Sequence, residues 1–314
     1  MALDFNGVKL LFWAKNLGVS YRRTLTLGRQ NLVCPPRRLH RAVHDFGLPG
    51  SREEIDRCLR RPSMQPLFAD EFFRYLGAEE LVTVDNSDFE GATLLHDLNQ
   101  PFPERERERF DFVLDGGTLE HVFNYPAALR HTLETVRPGG HFLTIAVASS
   151  FMGHGFYQFS PDLFFRVFSA ENGFALRKLV LFDSLKTDAP FYQVNDPAIT
   201  GQRTELFSAK PMLLAVLAQR TAVTPIFHQP PQQSDYVAVW RQHRETAKAA
   251  ESRTGWIWRM RTRLSPYWPY WISNWKTKWL FRRKSGPPKL SNRRHFRLLT
   301  KPEITGERSQ SQKA

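Results

Sequence analysis

The stretch FDFVLDGGTLEHVFNYPAALRHTLETVRPGGHFLTIAV, residues 110–147, carries the architecture. Phe110–Leu114 is a short, nearly continuous apolar run closed by Asp115-Gly116-Gly117, the pattern of a strand covered on both faces. Pro126–Val136 follows with helical periodicity and a proline in its first turn. Arg137-Pro138-Gly139-Gly140 then stops the helix before a second apolar run, His141–Ala148. Strand, helix and strand in that order form a βαβ unit, whose two strands lie parallel in one sheet.

The same alternation extends outward. Upstream, Thr24–Leu27 reads as the first strand, Leu81–Asp85 as the second and Ala92–His96 as the third. Arg52–Arg61 and Asp70–Leu76 read as helices. Downstream, Pro161–Phe168 reads as a helix capped by Ser160, with strands at Leu176–Phe182 and Pro211–Ala218. The first 18 residues read as an amphipathic helix without the charged segment and cleavage site of a signal peptide. The fold class is α/β, an open, doubly wound and mostly parallel sheet. Leu27 and Asp85 are 58 residues apart, far more than one strand-helix-strand unit needs, so residues 33–64 are read as an insertion.

In such sheets ligands bind beyond the carboxyl ends of the strands. The residues to watch are therefore Gly28, Asp85, Asp97, Asp115 and Ser149. Three of the five are acids, and like charges gathered at one rim need a ligand or cation to meet them; a nucleoside with a diol and an amino group does so.

Here the sequence resembles the class I S-adenosylmethionine-dependent methyltransferases. A strand opening with Phe-Asp leads to Leu119-Glu120-His121, a helix, an Arg-Pro-Gly-Gly turn and a strand. The resemblance implies a Rossmann-like methyltransferase domain with S-adenosylmethionine as cofactor. On that resemblance Asp85 binds the ribose hydroxyls, and Asp97 with Leu98 sits at the adenine, although Asp97 also suits a plain turn with Asn99. Asp115 and Gly116 line the methionine end. The family's glycine-rich loop is reduced here to Gly28, followed by Arg29 and Gln30, so Gly28 and Arg29 stand where the cofactor's carboxylate is met. Glu120 and His121 open the acceptor side, and the Gly-flexed segment from Ser149 to Pro161 supplies His154 and Tyr157. His154, Tyr157 and His121 are the candidates for proton transfer, against a purely packing role. An oxidoreductase using a nicotinamide dinucleotide is disfavoured because G-x-G-x-x-G is missing after the first strand.

Composition divides the chain. Its net charge of +13 resides beyond residue 239, where 19 Lys/Arg face 4 Asp/Glu and seven of the eight Trp lie, so the remainder is close to neutral. Domains are read as 1–228 for the catalytic fold, 229–300 for a basic, Trp-rich helical extension after the hinge Gln229–Ser234, and 301–314 for a disordered tail. Trp256–Lys284 mixes indoles and cations without an acid, which suits an anionic membrane surface. Nucleic acid is the weaker alternative, and a solvated extension covering the main domain is the third. No apolar run approaches the roughly 18 residues of a membrane-spanning helix, so the protein reads as cytoplasmic, peripheral to the inner face of the membrane if the extension binds lipid. Cys34 and Cys58 lack CxxC spacing, and no metal site is expected. The acceptor reads as a small molecule or a glycan or lipid-linked intermediate. A methyltransferase-like binding scaffold without cofactor is the second reading, and oligomeric state is not legible.

Overall fold

The computed structural model of the protein describes residues 2–60, 66–206, 208–237, 240 and 289–306. The segment Trp256–Lys284 and most of the helical extension expected over 229–300 lie outside the described residues. Two compact units result: Met1–Val194 with Ala209–Pro231 and Leu298–Ala314, and Asn195–Ser208 with Gln232–Arg297.

The larger unit is built on strands β1 (Ala2–Leu3), β2 (Arg23–Leu27), β3 (Asn31–Leu32), β4 (Glu80–Asp85), β5 (Leu94–Leu95), β6 (Phe110–Asp115), β7 (Val136–Ser149), β8 (Phe174–Asp183), β9 (Tyr192–Val194) and β10 (Met212–Arg220). Its helices are α1 (Phe5–Asn16), α2 (Pro36–Asp45), α3 (Arg52–Arg57), α4 (Asp70–Tyr75), α5 (Tyr125–Thr135) and α6 (Pro161–Val167). The main sheet runs β9-β8-β10-β7-β6-β2-β4-β5. The pairs β2/β4, β2/β6, β4/β5 and β6/β7 are parallel, whereas β10 runs antiparallel to both β7 and β8. From β2 the chain winds to one edge through β4 and β5, then returns to the other side through β6 and β7. That is the 3-2-1-4-5 half of a doubly wound sheet, with one antiparallel strand slipped between the fifth and sixth parallel ones. The fold is the Rossmann-like α/β fold of the class I methyltransferase type.

Both faces of this sheet are covered, which is why β6 is buried at every position. On one face, Phe112, Leu114, Leu143, Val180 and Phe182 join a core with α1, α2 and α4. On the other, Phe142 meets Phe168 at 5.8 Å between ring centroids, and Phe168 meets Phe174 at 5.8 Å. Full burial of each such ring contributes roughly 1.5–3 kcal/mol.

Three expectations need correction. The opening helix is not amphipathic: Phe5 to Val8 and Leu10 to Ala14 are all buried. Even Asn6 is at 0% exposure, because its amide donates to the Lys186 carbonyl at 2.7 Å and accepts from the Ala189 N–H at 2.9 Å. The Arg-Pro-Gly-Gly stretch is a bulge inside β7 rather than a turn before it. Register jumps from Phe110↔Val136 to Phe112↔His141, Gly139 takes φ +80°, and a Cβ on Gly140 would lie 2.8 Å from the Phe110 carbonyl oxygen. Residues 301–306 are ordered as a helix, Lys301–Thr305, with a Thr300/Glu303 capping box and left-handed Gly306; the Asn16 amide donates to the Thr305 carbonyl at 2.7 Å.

The long interval before β4 is filled by α2 and α3, whose Leu39, Ala42, Val43 and Ile55 are buried in the main core. At the amino end of the central strands, Asp111 accepts from the Arg23 backbone N–H at 3.1 Å and from Arg137 Nε at 2.6 Å. Burial opposes its ionisation, yet the flanking Arg137 and Arg23 hold its carboxyl below the usual range. In the smaller unit, Asp196 caps Pro197–Thr200, and Arg294 donates to the Thr200 carbonyl at 2.9 Å. Among the described residues no helix is long and apolar enough to cross a membrane.

His141 supplies a pH test of this packing. Burial on β7, aided by Arg177 and Arg137, pushes its imidazole down to about 4. A base with a depressed folded-state pKa leaves the unfolded chain binding the extra proton between pH 6.5 and about 4, so its contribution is intact above 6.5 and lost as pH falls. Urea denaturation at about pH 7.5 and 4.5 is expected to show a smaller acid-side loss of stability in His141→Leu than in wild type.

Candidate functional site

The site is built where the winding reverses. Leu27, at the end of β2, lies beside Val84 of β4 and Asp115 of β6, so the ends of three strands are level there. Gly28 follows with φ +71°, a left-handed conformation that favours glycine. Its N–H donates to the Val84 carbonyl at 2.7 Å. A Cβ on it would sit 3.4 Å from Thr118 Oγ1 and 3.9 Å from Asp85 Oδ2, so the backbone passes close to both.

Beyond Gly28 the chain does not enter a helix. The Gln30 carbonyl accepts from Ala69 N–H at 2.8 Å, and Asn31–Leu32 pairs in parallel with Ala2–Leu3. An extended segment held on both sides needs only one left-handed residue, which accounts physically for the missing glycines. Gln30 turns its side chain inward, 2% exposed. Its Nε2 donates to the Leu27 carbonyl at 2.8 Å and the Gly28 carbonyl at 3.2 Å, while Oε1 has no partner among the described residues and faces Gly116. Arg29 turns the other way. Its guanidinium bonds Asp70 at 3.2–3.3 Å and the Glu90 carbonyl at 3.0 Å, and stacks 4.0 Å over Phe68.

The acids divide by environment. Asp85 is half-buried, with Oδ1 accepting from Ser87 N–H at 3.3 Å and Oδ2 directed toward Gly28. Asp97 is exposed and makes a turn: Oδ1 accepts from the Asn99 backbone N–H at 2.9 Å and its side-chain amide at 2.7 Å, which holds the carboxyl below its ordinary value. Leu98 beside it is buried. Asp115 is buried, and its Oδ1 accepts from the N–H groups of Gly117, Thr118 and Leu119 while Oδ2 accepts from Thr144. Burial nevertheless raises its pKa against those donors. Asp115 thus holds the turn that the sequence assigned to the cofactor's methionine end.

That turn delivers Glu120. The segment after β7 folds around it: Phe156 N–H donates to the Glu120 carbonyl at 2.8 Å, and left-handed Gly155 packs so tightly that a Cβ would lie 2.9 Å from that same oxygen. His154 Nε2 is thereby brought to 3.6 Å from Glu120 Oε1, and the His154 ring to 5.0 Å from that of His121. Both imidazoles are exposed, whereas Glu120 is 1% exposed with Oε2 unpartnered. Burial, then the charge of Asp115, pushes Glu120 up to about 8. Burial and the neighbouring His154 lower the pKa of His121. Tyr157 donates its hydroxyl to the Phe123 carbonyl at 2.5 Å and so anchors the loop.

Gly28, Asp85, Asp115 and Gly116 therefore gather at the reversal point, and Glu120, His121 and His154 form a second cluster on the loops that follow β6 and β7. Arg29 and Asp97 are turned to protein partners. Sequence reasoning missed Gln30 and Thr118, which close the gap between β2 and β6; the only signal was a lone Gln two residues past a glycine, with no spacing rule behind it.

No family model and no curated protein matches the chain. Solved structures to which it is similar include the 1,6-didemethyltoxoflavin-N1-methyltransferase of Burkholderia thailandensis with bound 1,6-didemethyltoxoflavin and S-adenosylhomocysteine, at 15% identity and TM-score 0.36 over 69% of this chain and 78% of that one. Another is a putative S-adenosylmethionine-dependent methyltransferase from Listeria monocytogenes, at 11% and 0.37 over 68% and 99%. A third is the branched-chain polyamine synthase of Thermus thermophilus in complex with N4-aminopropylspermidine and 5'-methylthioadenosine, at 14% and 0.32 over 73% and 61%. At such TM-scores these likenesses carry no argument, and the fold assignment stands on sheet order and strand direction.

The contact between Gln30 and Gly116 is directly testable. A Cβ on Gly116 would lie 2.4 Å from Gln30 Oε1 and 2.9 Å from Cδ, and the amide is fixed by two hydrogen bonds. Gly116→Ala is expected to cost about 1–3 kcal/mol by overpacking. Adding Gln30→Ala is expected to recover part of that loss in thermal denaturation, because the two positions are coupled.

Proposed function

We propose that the protein is a methyltransferase that carries the methyl group of S-adenosylmethionine to an acceptor bound over the Glu120/His121/His154 cluster. The observation that carries this reading is Asp85, a half-buried carboxylate at the end of the second parallel strand, with Oδ2 turned toward left-handed Gly28 where the sheet reverses. A carboxylate accepts from both hydroxyls of a ribose at once, and this crevice is where doubly wound sheets take nucleotides. The residues fit the cofactor's other groups. Buried Leu98 follows β5 on the side suited to adenine. The unpartnered Gln30 Oε1 is an acceptor for the cofactor's ammonium group, whose binding would relieve an orphaned buried atom.

Bound there, the cofactor would supply a methyl group on a positively charged sulfur, to be displaced by an acceptor's lone pair with release of the neutral thioether. The protein's share is alignment of the acceptor, methyl and sulfur. Asp85 and Gly28 orient the nucleoside. Asp115, with its four donors, fixes the turn that carries Glu120 and His121, and Tyr157 fixes the loop that carries His154. With a hydroxyl acceptor, its proton leaves at the His121/His154 pair.

Phe123, Met152 and Phe156, each two residues from His121 or His154 in the chain, are exposed, and Phe123 meets Phe156 edge-on at 6.1 Å. Such rings stack on a sugar face or on an acyl chain, which supports a glycan or lipid-linked acceptor. The Trp- and cation-rich segment Trp256–Lys284 supports delivery of that acceptor at the inner face of an anionic membrane. A cofactor-free binding scaffold is favoured only by Gln30, whose amide fills the space below the turn.

Titration calorimetry of the full chain with S-adenosylhomocysteine separates the two. One-to-one binding is expected, weakened at least tenfold in Asp85→Ala with an unchanged circular dichroism spectrum. No heat of binding at millimolar ligand favours the scaffold.

A further inference from the structure

The buried acid at the base of the acceptor cluster has a chemistry that proton transfer does not use. Glu120 is 1% exposed, and its Oε2 has no hydrogen-bond partner among the described residues. A buried carboxylate normally accepts several hydrogen bonds or meets a cation. No Lys or Arg pairs with Glu120 among the described residues; what faces it is His154 Nε2, 3.6 Å from Oε1. His154 in turn meets a second imidazole, His121, in an edge-on ring contact of 5.0 Å. A buried carboxylate with no Lys or Arg partner among the described residues, set beside two imidazoles, is a set of donors suited to a cation.

One ligand atom from each of Glu120, His121 and His154 lies within 4.8 Å of the others. The scaffold behind them is firm on the carboxylate side and adjustable on the imidazole side. Asp115 pins the turn Gly117–Leu119 through three backbone N–H groups. The Glu120 carbonyl is clamped by Phe156 N–H, and the Tyr157 hydroxyl ties the same loop to Phe123. Both imidazoles are exposed, and His154 sits between Gly153 at φ +96° and Gly155 at φ +67°. Bonds of about 2.1 Å bring ligand atoms to roughly 3.4 Å from each other, so binding draws these groups inward by about 1 Å, a shift that exposed side chains make without disturbing the core.

We propose that Glu120, His121 and His154 bind a divalent transition-metal ion through two imidazole nitrogens and one carboxylate oxygen, with its remaining coordination positions open toward the acceptor. Imidazole with carboxylate suits zinc, iron, manganese or nickel rather than calcium or magnesium, and three protein ligands leave positions for water or substrate oxygen. That these positions take the acceptor's hydroxyl rests on the methyl-transfer reading above; the binding of the ion does not. The imidazole nitrogens given to the ion would be withdrawn from proton transfer, so the proton-accepting role given above to the His121/His154 pair belongs to the ion-free site. Cysteine spacing does not announce this site, whose members are the adjacent Glu120 and His121 and, 33 residues beyond His121, His154.

The test is titration calorimetry of chelator-treated full chain with Zn2+ and, separately, Mn2+, in the absence of cofactor. One-to-one binding is expected for at least one of the two, weakened at least tenfold by Glu120→Gln, His121→Ala and His154→Ala individually. The two histidine variants alter exposed side chains, so they report even if Glu120→Gln fails to fold. Binding of S-adenosylhomocysteine by the same preparations is expected to remain within about threefold of wild type, so that failure of the metal site and failure of the cofactor site are read apart. Absence of binding by either ion, or an affinity unchanged in both histidine variants, overturns the proposal.

Discussion

The carbonyl oxygen of Leu27 is the point on which the site depends. It ends the central strand where the sheet winds off in opposite directions, so the loops beyond β2 and β6 part and leave a backbone acceptor uncovered. Two side chains meet it: Thr118 Oγ1 from the loop after β6 and Gln30 Nε2 from the extended segment after Gly28, each at 2.8 Å. An acceptor left bare in a buried crevice costs about 1–3 kcal/mol. Satisfying it from both sides draws the two diverging loops together, with Gly28, Asp85 and Gly116 at the seam.

Charge organises what lies above that seam. Asp115 and Glu120 are both buried, five residues apart, and burial raises the pKa of each. Their neighbours set them different tasks. Asp115 spends its oxygens on three backbone N–H groups and the Thr144 hydroxyl, which makes it the fastener of the turn. Glu120 keeps an oxygen without a donor and faces two imidazoles, which makes it a group awaiting a proton or a cation. The turn that buries the first acid is thus what delivers the second to the acceptor side.

Much of this was legible along the chain because it is local. The βαβ pattern of residues 110–147 is a matter of apolar periodicity and punctuation; the strands read to Leu27 and Asp85 end there in the structure, and the one read to Leu114 runs one residue further, to Asp115. The capping box before Lys301 was equally local, but the polar composition around it pointed to disorder. Illegible features depend on partners distant in sequence. Asn6 is buried because residues 186 and 189 supply its bonds. Gln30 replaces a glycine-rich loop because Ala69 and the first residues of the chain hold its segment extended. His154 reaches Glu120 only through the left-handed Gly153 and Gly155. Arg29 illustrates the converse: a cation beside a ligand-binding turn suggests a carboxylate partner, and it finds one in Asp70.

Whether the crevice closed by Gln30 and Thr118 holds the cofactor without a glycine-rich loop is decided by a crystal structure of the full chain with S-adenosylhomocysteine. The ribose hydroxyls are expected on the Asp85 carboxylate, the homocysteine between Gly28 and Gly116 with its amino group at Gln30 Oε1, and the sulfur on the side of Glu120 and His154. Ligand bound elsewhere, or a crevice that excludes it at saturating concentration with the Gln30 amide in place, would contradict that arrangement.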